Sequence, residues 1–446
     1  MGRLFGTDGV RGIANADLGV ELAVALGRAA AARLAEEAGH SVRLLVGRDT
    51  RRSGELLEAA LAAGVMSVGA EVRRLGVATT PAVAYLTRQM GVDGGAVISA
   101  SHNPAPYNGI KFFSADGYKL PDATEDEIEA RLRGPWQDLP SGAGVGTSTS
   151  CGGELERYVD FIAHMAGSLE GLSVVLDCAH GAAYQLAPAA LARAGARVHT
   201  LAADRDGLNI NDGCGSLHPQ GLARAVRERG ADVGLAFDGD ADRLIAVDER
   251  GEVVDGDHLL ALLGVDLLER GELEGQTVVA TVMSNLGLEV CLRERGGRLA
   301  RTQVGDRYVL EAMREGGYVL GGEQSGHIIF ARHHTTGDGL MTAAQLTRLM
   351  RRTGRPLSAL AGIMPSFPQL LCNIRVRRME GLAGNTRVEA AVEAERRALG
   401  ERGRILVRPS GTEPLVRVMA EGEDAAAVQA AVDRIAAVVA DQLGVV

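Results

Sequence analysis

Short, almost unbroken apolar runs alternate along this chain with longer segments of helical period, and the alternation repeats. The first series predicts strands at Val42–Val46, Glu71–Leu75, Ala96–Ser99 and Gly109–Phe113, with helices over Ser53–Gly69 and Thr80–Met90. The second predicts strands at Ser173–Asp177, Arg197–Leu201, Val233–Phe237 and Leu244–Val247, with helices over Ala182–Ala194 and Gln220–Arg229. The third places strands at Val278–Val282, Leu299–Val304, Tyr318–Leu320 and His327–Phe330, with helices over Leu286–Arg295 and Arg307–Glu315. Each series reads βαβαββ, an order that implies layered α/β domains with mainly parallel pairing. From Leu371 onward the order changes to strand, helix, strand, strand, helix (Cys372–Val376, Val388–Leu399, Arg404–Val407, Leu415–Ala420, Ala425–Leu443).

The expected fold is therefore three similar mixed α/β domains, residues 1–148, 149–250 and 251–366, followed by a smaller α+β domain, 367–446. Pro140–Gly153, rich in Gly, Ser and Thr, reads as a linker. Unusual sequences fall at equivalent places. SASHNP, DGDADR and GEQSGH each lie between the last two strands of their own series, and RPSGTEP lies between the last two strands of the fourth. Loops equivalent in this way are expected to face a shared cleft.

Composition narrows the picture. Apolar residues make up 46% and charged residues 23% of the 446 positions, values of an ordinary globular chain. A net charge of −10 argues against nucleic acid or an anionic membrane as the main partner. The start, MGRLFGTDGVRG, has no apolar core of a signal peptide, and no run of 18 apolar residues occurs, so neither secretion nor membrane spanning is expected. Cys151, Cys178, Cys214, Cys291 and Cys372 are widely spaced and form no C-x-x-C pair, which suits a reducing compartment and a cytoplasmic location. Of 47 basic residues only Lys111 and Lys119 are lysines. Lys can release a proton where Arg cannot, which marks Lys111, the nearer to SASHNP, as a candidate proton carrier.

The loops carry the candidate chemistry. Asp238, Asp240 and Asp242 at i, i+2 and i+4 offer hard oxygen ligands to Mg²⁺ or Ca²⁺. An EF-hand is excluded because Arg243 stands where its tight turn needs Gly and because the flanks read as strands. Arg408, Ser410, Gly411 and Thr412 combine a guanidinium, two hydroxyls and a permissive backbone, which is phosphate-binding chemistry. Glu323 and Ser325 can read sugar-like hydroxyls, and His327 is a potential proton carrier. Arg11 in FGTDGVRG can reach an anion. Gly142, Gly144 and Gly146 do not fit G-x-G-x-x-G and follow no strand. Ser101 stands beside His102, but neighbours on an extended segment point to opposite faces, and the hydrolase elbow G-x-S-x-G is missing. A metal site, a phosphate clamp and a hydroxyl reader instead suit a serine that carries a phosphoryl group to the metal.

With these loops in this order, the sequence resembles the α-D-phosphohexomutase superfamily over essentially its full length. Phe5–Gly12, Asn209–Ser216 and Gln324 narrow the resemblance to the bacterial phosphoglucosamine mutases. The resemblance implies four domains around a central cleft and an isomerase that interconverts glucosamine 6-phosphate and glucosamine 1-phosphate through a bisphosphate. Such an activity supplies UDP-N-acetylglucosamine and cell-wall precursors. It implies Ser101 as phosphoserine, and one Mg²⁺ per chain held by its phosphate with Asp238, Asp240 and Asp242. Arg11, Lys111 and His327 would stand near the reacting oxygen, and Glu323 and Ser325 would read the sugar, with Arg243 also on the substrate. Arg408, Ser410, Gly411 and Thr412 would hold the other phosphate. Two departures, His180 in DCAHGA and APYNG after the serine loop, touch none of these residues. A homodimer is left open. Rival readings are a phosphomannomutase/phosphoglucomutase, a silent sugar-phosphate sensor and a metal-dependent phosphatase.

Overall fold

The computed structural model describes residues 3–6, 8–136, 138–377, 381–409 and 415–444, Glu401 by its backbone only. The chain forms two compact units, one made of Met1–Val282 with Ala300–Gly362, the other of Met283–Leu299 with Ile363–Val446.

The larger unit carries the three predicted sheets. The first has the strand order Val10–Ile13, Tyr107–Ser114, Gly94–Ile98, Arg43–Arg48, Glu71–Val77, Ser148–Ser150. Its last four strands run parallel, and Tyr107–Ser114 turns back antiparallel against Gly94–Ile98. The second follows the order Val253–Val254, Leu244–Asp248, Val233–Phe237, Ser173–Asp177, Arg197–Leu201, with the first three antiparallel and the last three parallel. The third runs Arg298–Thr302, Thr277–Thr281, Leu320–Gly322, Ile328–Phe330, again closing on an antiparallel pair. Gly94–Ile98, Ser173–Asp177 and Val233–Phe237 are buried at every position, as strands covered by helices on both faces must be. The βαβαββ order is thus realised three times, and each time a hairpin joins an inner parallel strand to its antiparallel neighbour.

The structure also departs from the sequence expectation. Pro140–Gly153 is no free linker, because Ser148–Ser150 adds a sixth strand to the first sheet beside Glu71–Val77. Gly146 lets it dock, since a Cβ there would fall 1.9 Å from the Ala70 carbonyl oxygen. Helices Val20–Ala38, Leu155–Ala166, Gly256–Glu269 and Gly339–Thr353 also supplement the predicted elements.

In the smaller unit, Leu415–Gly422 is the central strand of an antiparallel sheet, flanked by Gln369–Arg375 and Gly403–Pro409. Helix Ala425–Leu443 buries Val428, Val432, Ile435 and Val439 in a core with Val416 and Val418 of that sheet. No helix among the described residues is long and apolar enough to cross a membrane.

Candidate active site

In all three sheets of the larger unit the unusual loop sits at the carboxyl end of a buried parallel strand, the position at which open α/β sheets bind ligands. The loops meet. The Thr80 N–H donates to the Asp240 carbonyl (3.0 Å), and Leu244 N–H to the Gly326 carbonyl (3.0 Å). Arg243 and His327 form a β-bridge. Two glycines make this approach feasible. A Cβ on Gly239 would lie 2.5 Å from the Ser101 carbonyl oxygen, and one on Gly326, where φ is +90°, would lie 2.1 Å from the Leu244 carbonyl oxygen. The glycines in DGDADR and GEQSGH are therefore packing requirements as well as turn residues.

Ser101 is 1% exposed, and its Oγ donates to Asp238 Oδ2 at 2.6 Å. His102 Nδ1 lies 3.4 Å from Ser101 Oγ. The serine has φ +50°, so the segment is not extended and the two side chains do not diverge as the sequence reading assumed. Burial, together with Arg243 and Arg11, nevertheless pulls the His102 pKa down to about 4, and the shorter bond runs to the carboxylate.

Asp238, Asp240 and Asp242 are all buried, and one oxygen of each falls within 4.8 Å of the others. Asp240 Oδ2 accepts from Thr80 Oγ1 (2.6 Å) and Lys111 Nζ (3.1 Å), whereas Asp240 Oδ1 and Asp242 Oδ1 are buried without a hydrogen-bond partner among the described residues. Burial and repulsion from Asp242 and Asp240 push the Asp238 carboxyl well up. Three converging carboxylates with unsatisfied buried oxygens fit a hard divalent cation, which would relieve both the repulsion and the lost hydrogen bonds.

The basic groups complete the floor. Lys111, 1% exposed, contacts Asp8 (2.9 Å), Asp240 (3.1 Å) and Asp242 (3.9 Å). Burial works against its charge, but those carboxylates outweigh it and keep the ammonium protonated. Asp8 also pairs with Arg11 and with Lys119 Nζ (2.6 Å), and Lys119 in turn pairs with Asp306. His327 closes the circuit. Its Nδ1 lies 3.5 Å from Asp242 and its Nε2 3.7 Å from Asp306. The Gly337 N–H donates to Nε2 (3.2 Å), which leaves the ring proton on Nδ1, facing Asp242.

In the third loop, Glu323 Oε1 accepts the Gly305 N–H (3.3 Å), and the Ser325 hydroxyl approaches Oε2 at 3.5 Å. The Arg243 N–H donates to Asp238 Oδ1 (3.2 Å), while its side-chain Nε is buried 3.8 Å from Asp242 Oδ1, with no hydrogen-bond partner among the described residues. The structure thus brings together Arg11, Ser101, Lys111, Asp238, Asp240, Asp242, Arg243 and His327, with Glu323 and Ser325 on the adjoining loop.

Within the smaller unit, Arg408 stands directly across the sheet from Arg417. The Nε of each is buried without a hydrogen-bond partner among the described residues. Burial and the neighbouring Arg417 pull the Arg408 pKa down. Like charges facing each other across strands are destabilising unless an anion lies between them. Ser410, Gly411 and Thr412 lie outside the described residues.

Sequence reasoning had not singled out Asp8, Thr80, Asp306 or Arg417, and had set Lys119 behind Lys111. Arg417 was within reach, since a hairpin closing on RPSGTEP pairs it with Arg408. Asp306 lies one residue before the predicted helix, so it carried no signal of its own.

Sequence models of the phosphoglucomutase/phosphomannomutase family match most of the chain in four parts. Alpha/beta/alpha domain I matches residues 2–135, domain II 156–251, domain III 255–367 and the C-terminal domain 371–438. The phosphoglucosamine mutase of Symbiobacterium thermophilum is 55% identical over 446 residues, covering 99% of this chain and 100% of the relative. That of Desulforudis audaxviator is 56% identical over 444 residues, 99% and 98% of the two chains. A phosphoglucomutase/phosphomannomutase family protein from Burkholderia thailandensis superposes with a TM-score of 0.83 at 26% identity, covering 99% and 97%. The N-acetylphosphoglucosamine mutase of Aspergillus fumigatus, solved in complex with GlcNAc-6P and magnesium, shares the fold with a TM-score of 0.71 at 18% identity over 98% and 96%.

Proposed function

Because this chain belongs to the phosphoglucomutase/phosphomannomutase family, we propose that it interconverts glucosamine 6-phosphate and glucosamine 1-phosphate, with Ser101 as the phosphoryl carrier. One observation carries the reading: the buried Ser101 hydroxyl lies on Asp238 at the edge of three carboxylates, two of which keep an oxygen with no hydrogen-bond partner among the described residues. The amino sugar is favoured over glucose or mannose by whole-chain identities above one half to phosphoglucosamine mutases.

In the proposed cycle the free hydroxyl of the sugar phosphate attacks phosphorus on phosphoserine 101. The new O–P bond forms as the serine O–P bond breaks, and the hydroxyl proton passes into the Lys111–His327 network, where the carboxylates Asp8 and Asp306 that pair with them can accept it. The product is glucosamine 1,6-bisphosphate. It reorients, and the Ser101 oxygen attacks its other phosphorus while the released sugar oxygen takes up a proton. A Mg²⁺ held by Asp238, Asp240 and Asp242 with the serine phosphate would neutralise charge on the transferred group. Glu323 and Ser325 accept and donate to the sugar hydroxyls, and Arg243 joins them on the substrate. Arg11, paired with Asp8, stands beside Lys111 as a cation for the reacting oxygens.

Arg408 and Arg417 would hold the phosphate that is not being transferred, assisted by Ser410, Gly411 and Thr412. A guanidinium grips phosphate oxygens bidentately where an ammonium is a point charge. Arg408→Lys is therefore expected to slow both reaction directions about tenfold or more and to release more free bisphosphate. Assays in both directions with bisphosphate quantified check this, and loss in one direction alone would mean that the two orientations of the sugar do not share this clamp. Turnover on 2-amino against 2-hydroxy hexose phosphates tests the substrate: a preference for glucose or mannose phosphate would replace this reading with the phosphomannomutase/phosphoglucomutase one. Release of inorganic phosphate as the main product would favour a phosphatase.

A further inference from the structure

We propose that Asn211 is a positioning residue for phosphoryl transfer, which together with Arg51 clamps the backbone that carries Ser101; the functional part rests on the reading of Ser101 as phosphoryl carrier. The Ser101 and Asn103 carbonyl oxygens each accept two hydrogen bonds, one from each partner. Arg51 Nη2 reaches them at 2.9 and 2.7 Å, and Asn211 Nδ2 at 2.9 and 3.1 Å. Two acceptors on one side of the amide fix its orientation with the nitrogen toward the loop.

The partners come from different sheets. Arg51 follows strand Arg43–Arg48 of the first, and Asn211 follows strand Arg197–Leu201 of the second, in the NINDGCGS segment that the proposed chemistry leaves without a role. Arg51 has no exposed surface and also donates to the Pro104 and Tyr107 carbonyls, while Asp49 accepts from its Nε (2.8 Å). Asp49 also accepts from Ser99 Oγ (2.6 Å), which in turn accepts the Ser101 N–H (2.9 Å). Both peptide groups of Ser101 are thus pinned.

This matters because Ser101 has φ +50°, a conformation disfavoured for a residue with a side chain. Released, its backbone would relax and carry Oγ away from Asp238, now 2.6 Å distant. The Asn211 amide also seats against Gly239 of the acidic loop, where a Cβ would lie 3.0 Å from Nδ2. Asn211 therefore ties the serine loop to the second sheet, which supplies the carboxylates, and so keeps the phosphoryl carrier in register with them.

Arg51 is a poor target for a test, because its removal strands a buried Asp49. Asn211 is half-buried with φ +62°, so Asn211→Gly keeps the backbone conformation while deleting the side chain with its amide, and Asn211→Asp keeps the shape but turns a carboxylate toward two carbonyls. Full-length wild type and both variants would be compared by thermal melting, by hydrogen exchange over residues 99–107 and by steady-state mutase kinetics. Asn211→Gly is expected to lower kcat about tenfold with KM nearly unchanged, at a melting temperature close to that of wild type. Asn211→Asp should fall further, and exchange should accelerate only around Ser101–Tyr107. A wild-type kcat in Asn211→Gly would overturn the proposal. So would losses that track melting temperature, with Asn211→Asp no worse than Asn211→Gly. A wild type without mutase activity, with exchange changes still confined to the loop, would remove the phosphoryl-transfer reading and leave the clamp in place.

Discussion

Ser101→Ala is expected to lower mutase turnover by roughly four orders of magnitude while the protein remains folded. The reaction needs an oxygen that accepts phosphorus from one substrate position and returns it to the other, and no neighbouring group replaces it. His102 is 3.4 Å away, but its pKa is pulled down to about 4, and its Nδ1 faces the serine rather than the acidic loop. The structural cost is small. The substitution removes one hydroxyl and its bond to Asp238, worth about 1 kcal/mol, and leaves the clamped backbone of the loop untouched. Glucosamine phosphate interconversion followed alongside the melting temperature separates the two effects. Turnover above a small fraction of wild type would refute the phosphoserine cycle.

The second large effect is expected at Asp240. Its Oδ2 serves Thr80 and Lys111, and its Oδ1 is buried with no hydrogen-bond partner among the described residues, so the carboxylate both anchors the lysine and offers a lone pair to a cation. Asp240→Asn removes a charge from a set of three and weakens the hold on Lys111. Activity should fall roughly a hundredfold, and the magnesium concentration for half-maximal activity should rise. The change is nearly isosteric, so stability should change little. Relief of the repulsion on the Asp238 carboxyl and loss of the charge that pairs with Lys111 act in opposite directions. A magnesium titration of each protein checks this. An unchanged curve would mean that Asp240 does not bind the cation.

Much of this arrangement could be read along the chain, for identifiable reasons. Strands such as Val233–Phe237 are apolar throughout because both faces are covered, and that leaves a strong local signal. The motif loops are short and chemically odd, so their place between the last two strands of each series was visible too. Helices that bridge these series were harder. Gly256–Glu269 buries Leu259, Leu260, Ala261, Leu262 and Leu263 in succession, so it shows no polar face from which to infer a period. Ser148–Ser150 is a strand only because Glu71–Val77 lies beside it, and Ser and Thr there carry no apolar pattern.

The site divides in the same way. Ser101, the three aspartates, Glu323 and Ser325 announce themselves by type and spacing. The circuit through Asp8, Lys119 and Asp306 joins residues up to 298 positions apart, given the separation of Asp8 from Asp306, and exists only once the sheets have assembled. Arg51 and Asn211 act on backbone carbonyls, which leave no trace in the identity of the residues they hold.

The central claim is that Ser101 carries the phosphoryl group, and intact-mass analysis tests it most directly. Wild type and Ser101→Ala would be weighed after incubation with glucosamine 1,6-bisphosphate and magnesium, then again after excess glucosamine 6-phosphate. Wild type should gain the mass of one phosphoryl group in the first step and retain it as the sugar phosphates interconvert, whereas Ser101→Ala should gain none. Equal phosphoryl uptake by Ser101→Ala, or full interconversion by a wild-type protein that never acquires the added mass, would contradict the account.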